Sequence, residues 1–291
     1  MIVVPEITIE KIAVAEGHGE SLRNLAFGAA REVARDTMDI GGVIVATFSN
    51  ERRFPSLAVE IASALGLPAT TPAFDLQMAC SAYPYAVYLG GRIAADTGKK
   101  VLIIDGDVQS RLVDAADHDT GSIFSDAVTA SLVGVEVGVG AEVGVGVGVE
   151  VGVGSGTKES CFDFYSKFND EALYCGETGP IKMKGFDVFS FVATDVVRFL
   201  RDFLSSLSTN HFALGTDFFA PHQANPYMIR QLAKSLGLED RLLTLNESKK
   251  NPGSCSIPMT LAAHPECRGH RVLLAGFGAG YSAAAATVFV K

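Results

Sequence analysis

Four short stretches of this chain carry residue types able to do covalent chemistry. Cys80 follows the apolar run AFDLQMA (73–79) and precedes a helical pattern that starts near Ala82, with Pro84 tolerated in the first turn. A thiol there meets the positive end of the helix dipole and free N–H groups, both of which favour the nucleophilic thiolate. Without that setting, a cysteine is a small buried hydrophobe. His222 ends a second apolar run in PHQANPYMIRQLAKSLGL, and Asn225 stands three residues on. Both fall at the carboxyl end of an expected parallel strand, where open α/β sheets place their sites; an isolated histidine there can equally be structural. Asn251 precedes Pro252-Gly253 in NESKKNPGSCSIPM, a turn opening toward a helix, and asparagine before Pro-Gly is also common turn chemistry. GFGAGY (276–281) offers a backbone that a ligand can approach closely. It lacks the helix start and downstream acid of a dinucleotide-binding fingerprint.

The elements that must hold these residues alternate in type. GGVIVATFS (41–49), AFDLQMA (73–79) and KVLIIDGD (100–107) read as short buried strands. Ser21–Asp36, Leu57–Leu65 and Ala82–Asp96 read as helices, the last stopping at Gly98. Strand–helix alternation of this kind predicts βαβ units and a parallel sheet. The second half repeats the scheme. Asp187–Leu204 spaces Val188, Val192, Val196 and Leu200 four apart; a strand (211–222), a helix (Pro226–Leu236) and a strand ending RLLTLNES follow. RVLLAGFGAGYSAAAATVFV (271–290) closes as two strands around a glycine turn. The chain therefore divides into two similar α/β halves, 1–133 and 157–291, joined by a Gly-Val connector at 134–156. From Val133 to Val153 valine fills every odd position except Ala141. That period of two is the mark of a strand with one apolar face. The run is too long for one ordinary strand, and it reads as a low-complexity expansion of an edge strand.

Composition excludes several classes. The chain has 291 residues, 48% hydrophobic and 20% charged, with a net charge of −9 and a pI near 5.2. The acidic balance argues against a nucleic-acid partner. No uninterrupted apolar run is long enough for a membrane span, and MIVVPEITIEKIAV does not have the form of a signal peptide. Five widely spaced cysteines, without a C-x-x-C pair, argue against a disulfide framework or structural zinc. Free thiols without a leader point to the cytoplasm.

The order of the motifs along the chain resembles β-ketoacyl-acyl carrier protein synthase III of the thiolase superfamily. DLQMACSAY around Cys80, PHQAN, the Asn251 turn and the terminal GFGAG carry the resemblance from about Ile7 onward. RFPSLAVEIASALGLP (53–68) and VFSFVATDVVRFL (188–200) look like the family's helices. PHQAN separates the chain from type III polyketide synthases, which carry an HPGGP-like sequence at the histidine.

The resemblance implies a thiolase-like α/β fold, its two duplicated halves forming an α-β-α-β-α layering. It implies a decarboxylating Claisen condensation in fatty acid biosynthesis and lipid metabolism. Cys80 would take the acyl group from an acyl-CoA or other acyl thioester, with the backbone N–H groups of Cys80 and Ala279 as oxyanion hole. His222 and Asn251 would stabilise the enolate formed from malonyl-acyl carrier protein. Coenzyme A and phosphopantetheine are carriers of substrate, and no metal or redox cofactor is implied. Asn225 and Gly278 would contact substrate, as would Phe186, which replaces an asparagine lining the pantetheine tunnel of relatives. Phe54 would reach the partner subunit of a homodimer. Arg230 and Lys234, on one helix face beside Lys249 and Lys250, would dock the acidic carrier protein. The family's glycine-rich FGDGAGA appears as FSDAVTA (124–130), and the chain starts near the end of the family's N-terminal coenzyme A-binding region. Two other functions stay open: a thioester-dependent acyltransferase using the same Cys-His-Asn site, and a non-catalytic subunit of a heterodimeric condensing enzyme.

Overall fold

A computed structural model describes residues 1–35, 39–136, 158–177, 179–209 and 216–291. Residues 137–157, and with them most of the predicted Gly-Val connector, lie outside the described residues. So do 211–215 of the strand expected at 211–222.

The first half builds β1 (Ile2–Pro5), β2 (Ile7–Glu16), α1 (Leu22–Ala34), β3 (Ile40–Ala46), α2 (Leu57–Ala64), β4 (Ala73–Leu76), α3 (Ala82–Thr97), β5 (Lys100–Asp107) and β6 (Ala127–Val135). The second half builds β7 (Glu159–Ser166), a two-residue pair β8 (Leu173–Tyr174) and β9 (Lys182–Met183), α4 (Gly185–Phe191) and α5 (Val197–Thr209). It continues with β10 (Phe218–Pro221), α6 (Pro226–Leu236), α7 (Ser256–Ala263), β11 (His270–Gly278) and β12 (Ser282–Val290). A single wide turn, Val192–Val196, joins α4 to α5, so the helix expected over Asp187–Leu204 runs on without a break.

A four-strand core, one parallel pairing followed by two antiparallel ones, occurs twice, as β3-β5-β6-β2 and as β10-β11-β12-β7. In the first half β4, β3 and β5 are parallel, β6 is antiparallel to β5, and β2 to β6. In the second half β10 is parallel to β11, then β12, β7 and β1 follow in antiparallel sequence. β12 and β2 join the two sheets over a short parallel stretch at Phe289–Thr8 and Val290–Ile9.

Side-chain alternation along the strands makes five layers. Val101 and Ile103 of β5 face α3 and α7, whereas Leu102 and Ile104 face α1 and α2. Val272 and Leu274 of β11 face the same central helices from the other side, and Leu273 and Ala275 face α5 and α6. The result is α1/α2, sheet, α3/α7, sheet, α5/α6. Glycine lets the central helix approach: a Cβ on Gly91 of α3 would stand 2.1 Å from Ile7 Cδ1.

Local signals place the helix ends. Ser21 and Ser56 cap α1 and α2 by accepting from Asn24 N and Val59 N. Asp75 on β4 also accepts from Leu57 N and Ala58 N, both at 2.9 Å. Gly98 ends α3 and Gly237 ends α6, with φ of 67° and 68°. One expectation fails: RLLTLNES forms no strand. Leu242 makes a single bridge to Phe219 and Leu243 N donates to Phe219 O at 2.8 Å, but two N–H groups further along go to side chains. Leu245 N donates to Gln223 Oε1 and Ser248 N to Asn246 Oδ1, both at 3.0 Å, which turns the segment away from the sheet.

Candidate active site

Cys80 sits in a one-turn helix, Ala79–Ser81, between β4 and α3. Ala79 takes a φ of 44° there, a conformation that costs a non-glycine residue energy and turns the next side chain out of the chain's path. The opposite half completes the seat. A Cβ on Gly278 would lie 2.7 Å from Cys80 Cβ, and one on Gly276 2.9 Å from Ser81 Cα. Gly276 and Gly278 are therefore needed for close approach to the Ser81 backbone and the Cys80 side chain. Ser81 Oγ and Ser282 Oγ, 2.8 Å apart, tie the start of α3 to the start of β12.

Burial opposes the thiolate that the helix end is expected to favour. Cys80 is 5% exposed, and burial pushes its thiol up to about 12, with Asp107 and Asp105 adding to the shift. Removal from water and two nearby acids both disfavour the thiolate.

His222 follows β10 and is likewise buried. Its Nδ1 lies 2.9 Å from Ser256 Oγ, the same oxygen that accepts the Gln223 N–H at 3.1 Å. Burial pulls the imidazole down to about 4, against a raising contribution from the Gly253 backbone. Asn251 is pinned on both sides. Its N–H donates to Ile123 O at 3.0 Å, and its side-chain Oδ1 accepts from Gly253 N at 2.9 Å. That leaves the amide Nδ2 to donate elsewhere.

Cys80, His222 and Asn251 meet in one cavity of about 260 Å³, walled also by Asn225, Phe277 and Gly278. A smaller cavity of about 140 Å³ opens on the other side of Cys80 and includes Ala279, Phe48 and Ile181. A third, about 240 Å³, shares Asn225 and Asn251 and carries Arg230 and Lys250.

Other expected site residues fare differently. Asn225 does line the cavity, but its Oδ1 caps α6 by accepting from Met228 N at 2.8 Å. Phe186 does not line it: the side chain is 81% exposed, and its helix turns Gly185 and Val188 inward instead. Phe54 is 84% exposed. Arg230 and Lys234 are both exposed on α6, and Arg230 pairs with Glu247 at 3.7 Å. Lys249 is drawn off by Glu16 at 2.5 Å. Sequence reasoning missed Ser256, Asp105, Asp107 and Gln109. Two acids inside the apolar run KVLIIDGD were the available signal, since a buried acid needs a structural reason.

Layers and site together define the class: a thiolase-like condensing fold with a buried cysteine where strand meets helix. Two family models match, that of 3-oxoacyl-[acyl-carrier-protein] synthase III over residues 74–145 and that of its C-terminal region over 215–290. A β-ketoacyl-[acyl-carrier-protein] synthase III from Shewanella oneidensis is 30% identical over 289 residues, covering 97% of this chain and 88% of that protein. One from Neisseria gonorrhoeae is 30% identical, covering 90% and 82%. The solved synthase III from Thermus thermophilus superposes with a TM-score of 0.74 at 26% identity, over 94% of this chain and 85% of that one. The 3-oxoacyl-(acyl-carrier protein) synthase from Burkholderia xenovorans reaches 0.79 at 21%, over 99% and 95%. The chain belongs to the β-ketoacyl-acyl carrier protein synthase III family, whose known reaction is condensation of an acyl thioester with malonyl-acyl carrier protein. It is an acyltransferase-type condensing enzyme.

Proposed function

We propose that Cys80, His222 and Asn251 carry that condensation in this chain. The observation supporting it is their convergence on one cavity from three separate elements. Cys80 Sγ attacks the carbonyl carbon of an acyl thioester. The S–C bond to coenzyme A breaks, the thiol proton leaves with the coenzyme A sulfur, and an acyl-cysteine remains. The backbone N–H groups of Cys80 and Ala279 face the developing oxyanion.

Malonyl-acyl carrier protein then binds with its thioester oxygen toward His222 and Asn251. Ser256 accepts the Gln223 N–H, so its own hydrogen is available to His222 Nδ1, which keeps the imidazole proton on Nε2. Nε2–H and Asn251 Nδ2–H donate to the thioester oxygen as the C–CO₂ bond breaks and enolate charge collects there. An imidazole held neutral by burial donates in this way without needing to titrate. The α-carbon attacks the acyl-cysteine carbonyl, and Cys80 leaves and regains a proton.

Coenzyme A and phosphopantetheine serve only as carriers, and the steps call for no metal or redox group. Asn225 and Gly278 line the path of the arm. Arg230 and Lys234 meet the acidic carrier protein, with Lys250 beside the third cavity. Phe54, exposed and apolar, is a surface for a second copy in a homodimer. The halves 1–133 and 157–291 supply the nucleophile and the enolate-stabilising pair respectively. Five unpaired thiols suit a cytoplasmic location.

Incubation with a panel of acyl-CoA thioesters followed by mass spectrometry tests the first step, and CO₂ release from malonyl-acyl carrier protein tests the second. One chain length should label Cys80, and CO₂ release should be lost in His222→Ala. No labelling by any thioester sinks the reading. Labelling without consumption of malonyl thioester supports simple acyl transfer instead.

A further inference from the structure

We propose that Gln109 and Asp105 are positioning residues that aim the Asn251 amide, a role resting on the function proposed above. Asp105 and Asp107 share a face at the end of β5, and Gln109 opens the one-turn helix, Gln109–Arg111, that follows it. That face meets the turn from Asn251 to Cys255. Gln109 is wholly buried, and its Nε2 donates to Asn251 O at 3.1 Å and to Ser125 O at 3.0 Å. Asp105, also wholly buried, hydrogen-bonds Ser254 Oγ. Asp107 Oδ1 accepts from Thr47 Oγ1, Phe48 N and Ser49 N at 2.7 to 3.0 Å, which anchors the row to the segment that follows β3.

The turn is fitted closely over this row. Gly253 has a φ of 77°, and a Cβ there would stand 3.3 Å from Gln109 Nε2 and 3.6 Å from Asp107 Oδ2. The arrangement is expensive for stability alone. Asp105 Oδ2, Asp107 Oδ2 and Gln109 Oε1 are buried without a hydrogen-bond partner among the described residues, a cost that apolar side chains of similar size would not carry. What the polar row provides is direction. It fixes the carbonyl of Asn251 from below while Ile123 O holds its N–H and Gly253 N its Oδ1. The amide Nδ2 is then left with one orientation, toward the cavity. A misplaced donor loses most of its effect on a developing enolate.

The test separates the two half-reactions in the full-length enzyme: acylation of Cys80 followed by mass, and condensation of pre-acylated enzyme with malonyl-acyl carrier protein. In Gln109→Leu, condensation should fall about 10- to 100-fold more than acylation does, with the loss in kcat rather than KM. Asp105→Leu should act in the same direction. Asp105→Asn, which can still accept from Ser254, should restore condensation to within about three-fold of wild type. Should Gln109→Leu fail to fold, Ser254→Ala removes the Asp105 tie with a smaller perturbation and should show the same bias. Equal loss in both half-reactions, or no loss, overturns the inference while leaving the proposed function standing. Failure of wild-type enzyme to become acylated or to consume malonyl thioester overturns both.

Discussion

The proposed nucleophile and its proposed polar partners come from opposite halves of the molecule and are held by different means. Cys80 is placed by a strained turn at Ala79 and by glycines of the other half pressed against its Cβ. His222 and Asn251 are placed by hydrogen bonds, to Ser256, Gly253, Ile123 and Gln109. The electrostatic outcome differs in sign and agrees in effect. Burial raises the thiol to about 12 and lowers the imidazole to about 4, so at neutral pH both are uncharged. The resting site is a neutral thiol and a neutral imidazole, unlike a thiolate–imidazolium pair. In such a site neither the cysteine nor the histidine carries a charge at rest, and the polar groups act as hydrogen-bond donors where charge develops.

The comparison breaks most visibly at the nucleophile. Cys80→Ala should remove the acyl-enzyme and lower condensation by at least about 10³-fold, with folding intact by circular dichroism. Next come the donors: His222→Ala or Asn251→Ala should lower CO₂ release and condensation about 10²- to 10³-fold while Cys80 still takes the acyl label. A fall in labelling equal to the fall in condensation would refute the division of roles between the halves. Packing at the seam comes third. Gly278→Val should cost about 1–3 kcal/mol by urea denaturation and slow acylation more than decarboxylation, because the added carbons displace Cys80.

A further effect is on stability against pH. His222 has its folded pKa lowered from 6.5 to about 4. Between those values the unfolded chain binds a proton that the folded chain does not, so stability rises with pH across that window. It is lost as pH falls from about 6.5 toward 4 and levels off below. The contribution is on the order of 3 kcal/mol. Urea midpoints of wild type and His222→Gln compared across this range should show wild type losing about 3 kcal/mol relative to the variant as pH falls from about 6.5 to about 4. Parallel curves would show that His222 is not the group responsible.

Much of the site was legible because its chemistry is local. Cys80 before a helix, His222 after a strand and Asn251 before Pro-Gly each announce themselves through neighbours in the chain. The helices α1, α2, α3 and α6 follow from apolar spacing and caps, to within a residue or two. Other features depend on partners far away. RLLTLNES has the composition of a strand, yet Gln223 takes its N–H at Leu245. Phe186 stands in line with a tunnel residue, yet its helix turns it to solvent. The first strands, Ile2–Pro5 and Ile7–Glu16, carry too little pattern of their own to be assigned, and long-range pairing to β7, β6 and β12 makes them strands.

Sequence alone indicated the family and the α/β alternation and singled out the three residues proposed to act, since residue type and short-range spacing suffice for each. Tertiary structure alone decided the charge state of the thiol, the tie from Ser256 to His222 and the polar row beneath Asn251. Each of these depends on which groups are excluded from water together, and burial is a property of the packed layers rather than of any segment.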